Sequence, residues 1–239
     1  MVNVTPNVFA DAVRAFWETR ATQAGRQRES GVTDQGNRGQ VTGGQQMNGF
    51  VDAIRQYICA AGVEPGCVYT IRGQSDLPGY FRATKQWDVV VVVAGRLLAA
   101  IELKSQVGSF GNNFNNRTEE ALGTAVDLWT AYREGAFENS AAPWLGYLLL
   151  VQDCDRSRQP VRVNETHFGV FPEFRGTSYT RRYELLCRRL VRERHYSEAC
   201  LLLTDKERSG LPVNYNEPAT DLSAERFLTQ LGRHLVANL

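Results

Sequence analysis

Apolar residues in this chain follow two rhythms: recurrence every three to four positions, and unbroken runs bounded by turn residues. The first rhythm predicts helices. Residues 8–20 carry Phe9, Ala12, Val13 and Phe16 on one side, and residues 46–61 carry Met47, Phe50, Val51, Ile54 and Ile58 in the same way. Further helices are predicted at 117–134, with Leu122, Ala125, Val126 and Trp129 inward, at 178–194, and at 223–236. The second rhythm predicts strands at 67–72 (CVYTIR), 144–151 and 199–204 (ACLLLT). The stretch WDVVVVVAGRLLAAIELKSQ, residues 87–106, is two β-rich arms meeting at Ala94-Gly95-Arg96, a hairpin signal. Both arms are almost continuously apolar, which predicts strands covered on both faces at the centre of a sheet.

Between these elements lie a turn-rich segment around Pro78 and Gly79 and a loop, GSFGNNFNNR, holding four asparagines. Residues 25–46 (GRQRESGVTDQGNRGQVTGGQQ) are polar and glycine-rich with almost nothing to bury. They are expected to form a loop that is mobile on its own, either a solvated linker or a segment whose arginines and glutamines wrap a ligand. No internal repeat or clean linker interrupts the order of elements. The expectation is one α/β domain over residues 1–239, a central mixed β-sheet flanked by helices.

Composition adds exclusions. With 43% hydrophobic and 22% charged residues the chain is ordinary for a globular protein. No apolar run approaches the ~18 residues a membrane span needs. The opening MVNVTPNVFADAVRAF lacks a basic stretch followed by a long apolar one, so no signal peptide and a cytoplasmic location are expected. The five cysteines (Cys59, Cys67, Cys154, Cys187, Cys200) form no C-x-x-C pair, and His167, His195 and His234 lie far from metal-ligand spacing; neither structural zinc nor a role for histidine is expected. Net charge is only +1, yet three of the 27 basic residues are lysines: Lys85, Lys104 and Lys206. Seven arginines crowd between Arg175 and Arg194, where forked contacts to phosphate or guanine are one use and a wet helix face is another.

The chemistry-bearing pattern sits in the hairpin. Asp88 opens the first arm, Glu102 and Lys104 close the second, and Arg96 in the turn is the one other charge. Glu102 and Lys104 are two apart in a strand and so share a face. With an odd loop centred on Gly95, Asp88 lies opposite Glu102 on that face, Cβ atoms roughly 4.5–5.5 Å apart. A two-residue turn separates the acids onto opposite faces unless a bulge restores the register. Two neighbouring carboxylates in a partly buried sheet repel, and a hard divalent cation relieves them. Mg²⁺ suits such a site, held by Asp88, Glu102 and the carbonyl of Leu103, with Lys104 placed to orient or help deprotonate an attacking water. Phosphodiester hydrolysis follows from such a set. The bland alternative is an ion-paired triad closing a hairpin, although buried charge triads are rarely kept for stability.

Asp88 with Glu102-Leu103-Lys104 resembles the PD-(D/E)xK nuclease signature, with Trp87 where proline often stands. More widely, GGQQMNGFVDAIRQ, WDVVVVV, AAIELKSQVGSFGNNFNNRTEEALG and PWLGYLLLV resemble the XhoI family of type II restriction endonucleases. The resemblance implies the PD-(D/E)xK restriction-endonuclease-like fold and a homodimer cutting double-stranded DNA at the palindrome 5′-CTCGAG-3′ after the first C, to leave 5′ overhangs. It also implies a DNA methyltransferase that protects the same site without necessarily binding this protein. Candidate DNA contacts are Asn112, Asn113, Asn115 and Asn116, just after the catalytic strand, and Arg181 and Arg182. Asp52 and Glu18 are candidates for an extra acid, but both lie off their helices' apolar stripes. Two other functions share the pattern. One is a repair or junction-resolving nuclease, recognised by a preference for branched DNA. The other is a non-cleaving DNA-binding protein, which usually loses one of the three charged groups.

Overall fold

The central sheet is built on the two apolar arms and on the later apolar runs, as their patterning requires. The computed structural model describes residues 3–29 and 45–239. In chain order, α1 (Ala10–Glu29) and α2 (Asn48–Ala60) precede a short β1 (Val68–Tyr69), the pair β2 (Asp76–Pro78) and β3 (Thr84–Gln86), then β4 (Val89–Val93) and β5 (Arg96–Gln106). There follow α3 (Phe110–Arg133), β6 (Trp144–Gln152), a one-turn α4 (Asp155–Arg158), α5 (Tyr179–Arg192), β7 (Glu198–Thr204) and α6 (Ala224–Asn238).

Among the described residues the main sheet has the order β1-β4-β5-β6-β7. The β1–β4 and β4–β5 pairs are antiparallel, and β5–β6 and β6–β7 are parallel, so the sheet is mixed. Long crossovers carrying α3 and α5 make the two parallel links, as parallel pairing demands. Buried side chains form two cores, one on each face. Phe16, Phe50, Ile54, Phe227 and Leu231 from α1, α2 and α6 pack with Val89, Ile101 and Leu148. On the other face, Ala121, Ala125 and Leu128 of α3 and Tyr183, Cys187 and Leu190 of α5 pack with Val90, Ala100 and Tyr147. The expected α/β sandwich is therefore observed, and β5 and β6 are buried on both faces along most of their length.

Several boundaries differ from expectation. Helix α1 continues to Glu29, past the predicted end at residue 20 and into the polar segment placed as loop at 25–46. Residues 21–29 lack an apolar stripe, so periodicity is blind to them; Gln45–Met47 forms a 3₁₀ turn, and residues 30–44 lie outside the described ones. The strand predicted at 67–72 shrinks to Val68–Tyr69. The inward face of α3 is turned by about one residue, so that Ala121 and Leu128 are buried while Val126 is 40% exposed. Finally, the asparagine-rich stretch is no loop, because α3 starts at Phe110. Phe110 is buried and stacks on Tyr179 with ring centroids 5.8 Å apart, and Phe114 meets Tyr183 edge-on at 5.2 Å. Those anchors override the weak helix propensity of asparagine.

Candidate active site

Register decides whether the two acids meet. The turn between β4 and β5 is the two-residue type, with Ala94 (φ 50°) and Gly95 (φ 75°) both left-handed and Val93 paired with Arg96. Alone, that turn would put Asp88 and Glu102 on opposite faces. A bulge corrects it. Val92 pairs with Leu97 but Val91 pairs with Ala99, leaving Leu98 as the extra residue. The packing agrees: Leu97 and Ala100 enter the α3/α5 core, whereas Leu98 and Ala99 both enter the other. The register ends with Val89 opposite Ile101, and the next residue, Asp88, reaches the amide of Leu103 and lies close enough to Glu102 for their charges to repel.

The local contacts close this group. Asp88 Oδ2 accepts the amide N–H of Leu103 at 2.6 Å. Glu102 is bonded at both oxygens, Oε1 to Lys104 Nζ and Oε2 to Lys85 Nζ at 2.6 Å. The side chains of Glu102, Lys85 and Lys104 are 6%, 13% and 26% exposed. Burial and the adjacent charge of Glu102 push the Asp88 carboxyl up to about 6. Burial also pushes Glu102 up, but the two ammonium groups outweigh it and hold the carboxyl below its usual range. Lys104 ends above its ordinary value, because Glu102 and Asp88 more than offset the effect of its own burial. Behind the group, Tyr147 of β6 faces Glu102 across the parallel pair, and burial pushes its phenol well up. The site therefore has one carboxylate fully paired and a second whose ionisation carries a cost that a nearby cation would relieve.

Two carboxylates and a nearby main-chain carbonyl are the oxygen donors a hard cation takes while keeping waters. The amide of Leu103 points past the end of β4 to Asp88, and in an extended strand a residue's carbonyl opens to the same side. Among the described residues no three His, Cys, Asp or Glu side chains gather as a metal cluster, so any ion here keeps water or phosphate oxygens in its remaining positions.

The other sequence candidates are placed differently. Asn112, Asn113, Asn115 and Asn116 occupy the first turns of α3 and range from exposed to half-buried. In the following turn Arg117 donates to the carbonyl of Ser105 at 3.3 Å and to Glu120. Arg181 is exposed and pairs with Glu184. Arg182 donates to the carbonyl of Val161 at 3.2 Å and covers the Tyr179 ring, so it is tied into the fold. The arginine cluster is largely spent on its neighbours: Arg188 on Glu184 and Asp221, Arg189 on Glu173, Arg175 on Glu165. Glu18 and Asp52 are exposed on α1 and α2, whose cores lie against the opposite face of the sheet.

Sequence reasoning missed Lys85. It lies on β3, in a separate two-stranded ribbon whose connecting loop is fastened to α3: Asp127 accepts the N–H groups of Tyr80 and Phe81, each at 2.8 Å, and Arg82 Nε at 2.6 Å. A signal was present, since two of only three lysines flank the apolar arms.

Comparison with known proteins adds three relatives and one family. Residues 26–215 match the family described as restriction endonuclease XhoI. The chain is 54% identical over 208 residues to the type II restriction enzyme BstVI of Geobacillus stearothermophilus, covering 84% of this chain and 92% of that protein. It is 47% identical over 182 residues to the type II restriction enzyme XhoI of Xanthomonas vasicola, covering 75% and 72%. To AbrI of Azospirillum brasilense it is 50% identical over 159 residues, covering 66% and 71%. No solved structure gives a significant match.

Proposed function

Since the chain belongs to the XhoI family of type II restriction endonucleases, we propose that it makes Mg²⁺-dependent double-strand cuts at 5′-CTCGAG-3′, after the first C. The observation that carries the proposal is the bulge-corrected register that ends with Val89 opposite Ile101 and brings Asp88 to the Leu103 amide, beside Glu102 and Lys104. Asp88, Glu102 and the Leu103 carbonyl are the groups that hold the cation. When bound, Mg²⁺ lowers the pKa of a coordinated water and polarises a phosphoryl oxygen. Lys104 is held as an ammonium by its two acid neighbours, so it donates: it orients the attacking water and offsets charge building on the phosphorane-like transition state. Burial of Glu102 and the wall behind it keep bulk water from screening these charges.

In this proposal the whole chain is one endonuclease domain, acting as a homodimer on a palindrome, with each subunit cutting one strand. Asn112, Asn113, Asn115 and Asn116 contact the DNA where α3 leaves the catalytic strand, and exposed Arg181 reaches a phosphate while still paired with Glu184. Arg182 contributes through the loop it braces. The protein works in the cytoplasm beside a DNA methyltransferase that modifies the same site.

A single digest tests this. With Mg²⁺ and a sequenced plasmid, mapped ends are expected inside every CTCGAG, and Lys104→Ala is expected to lower the rate roughly 10²–10⁴-fold. Cleavage at full rate by purified Lys104→Ala, or a preference for branched DNA over linear plasmid, contradicts the proposal.

A further inference from the structure

Glu102 carries two ammonium groups, and only Lys104 has a part in the hydrolysis proposed above. Lys85 arrives from a different element, β3, and its position is closely defined. It donates 2.6 Å to Glu102 Oε2 and 2.8 Å to the carbonyl of Gln86, and its charge sits 4.4 Å from the centre of the Trp87 ring. Twenty-four of the 27 basic residues are arginine, yet both groups on Glu102 are lysine. A compact ammonium fits between a carboxylate and an indole and can leave again, whereas a planar guanidinium locks on in a fork.

The charges sum simply. Asp88 and Glu102 supply two negative charges when ionised, and Lys85 and Lys104 supply two positive ones. A divalent cation added to that balanced set meets two ammonium groups at close range. It also needs a Glu102 oxygen, and neither is free of an ammonium. Lys104 shares a strand with Glu102, whereas Lys85 reaches Glu102 from a ribbon outside the main sheet, and its flexible stem can move the ammonium without moving the sheet.

We infer that Lys85 is the resident counter-ion of Glu102: it takes the place of a divalent cation on Oε2 in the DNA-free protein and passes to a phosphate oxygen when DNA brings negative charge to the site. Metal and Lys85 then compete for one oxygen, and DNA relieves the competition. This inference rests on the proposal that Asp88 and Glu102 hold the metal. Lys85 is thus a positioning residue that keeps the site from loading metal before substrate.

The test uses Mn²⁺ alone, titrated calorimetrically into the full-length protein without DNA, and again with a CTCGAG duplex whose scissile linkages are replaced by non-hydrolysable ones. Lys85→Gln is expected to bind Mn²⁺ about tenfold more tightly than the wild type without DNA, because a like charge is removed at close range. Lys85→Arg keeps the charge and is expected to show no such gain. DNA should tighten Mn²⁺ binding strongly in the wild type and only weakly in Lys85→Gln. Lys85→Met, which retains the stem against Trp87, replaces Lys85→Gln if the latter melts early. Equal or weaker Mn²⁺ affinity in both neutral variants, with Glu102→Gln abolishing binding, overturns the counter-ion role and leaves the metal site standing. Unchanged Mn²⁺ binding by Glu102→Gln overturns the metal site, and this inference with it.

Discussion

Asp88 has a cost attached to its charge, and that cost sets a pH dependence. Its folded carboxyl, raised to about 6 by burial and by Glu102, compares with a value near 3.9 in the unfolded chain. Between these values the folded protein holds a proton that the unfolded chain has lost, so metal-free stability falls as pH rises from about 4 to about 6. Above that window the charge costs about 1–3 kcal/mol. Asp88→Asn can still accept the Leu103 N–H, and urea unfolding at pH 8 without metal should find it more stable by that amount. The gain should vanish near pH 4, and a variant less stable than wild type at pH 8 would refute the role of burial. At this scale Asp88, Glu102 and Lys104 were legible because strand alternation places alternate residues on one face. Lys85 was not, because β3 is short, exposed at both ends and shows no apolar rhythm.

The smallest elements proved hardest to read. The β2–β3 ribbon buries only Leu77 among its six residues, so its sequence reads as turn. What holds it is a polar clasp. Gly79 must be glycine, since a Cβ there would lie 2.5 Å from Asp127 Oδ2 and 2.9 Å from the Arg82 carbonyl. Burial tends to raise the Asp127 carboxyl, but hydrogen bonds from Phe81, Arg82 and Tyr80 outweigh it and leave it below its usual range. A lowered carboxyl stabilises above the unfolded value and ceases to as pH falls through the folded one. Asp127→Asn is therefore expected to lose about 1–3 kcal/mol at pH 7, and the loss should shrink as the pH falls below about 4, read by chemical denaturation across that range. Because the ribbon carries Lys85, the same variant should also bind Mn²⁺ more tightly without DNA; an unchanged affinity would show that the clasp is merely structural. The bulge at Leu98 is the other small element with a large consequence. Its need followed from the sequence once Asp88 and Glu102 were required to meet, but choosing between an odd loop and a bulge took the coordinates. The asparagine stretch was misread for the opposite reason: Phe110 and Phe114 make contacts with α5 that no local pattern announces.

For the molecule as a whole, the sandwich was legible from the two rhythms, because unbroken apolar strands need cover on both faces and amphipathic helices supply it. The extent of α1 was not, since its second half carries no stripe to bury. Arginine clustering is accounted for in part within the fold, where Arg175, Arg181, Arg188 and Arg189 pair with Glu165, Glu173, Glu184 and Asp221. The proposed action of two subunits on one palindrome has its own test. If two subunits each cut one strand, wild type mixed with excess Lys104→Ala should convert a single-site supercoiled plasmid to nicked circles. Linear product with no nicked intermediate at any ratio would mean that one subunit cuts both strands.

In the proposed reaction Asp88 and Glu102 share one divalent cation beside a scissile phosphate. Anomalous diffraction from crystals of the protein with Mn²⁺ and a CTCGAG duplex tests it most directly. One peak is expected between the two carboxylates, about 2.0–2.3 Å from an oxygen of each, with a phosphate oxygen in its coordination shell. A peak held by other residues, or none between these two at full metal loading, would contradict it.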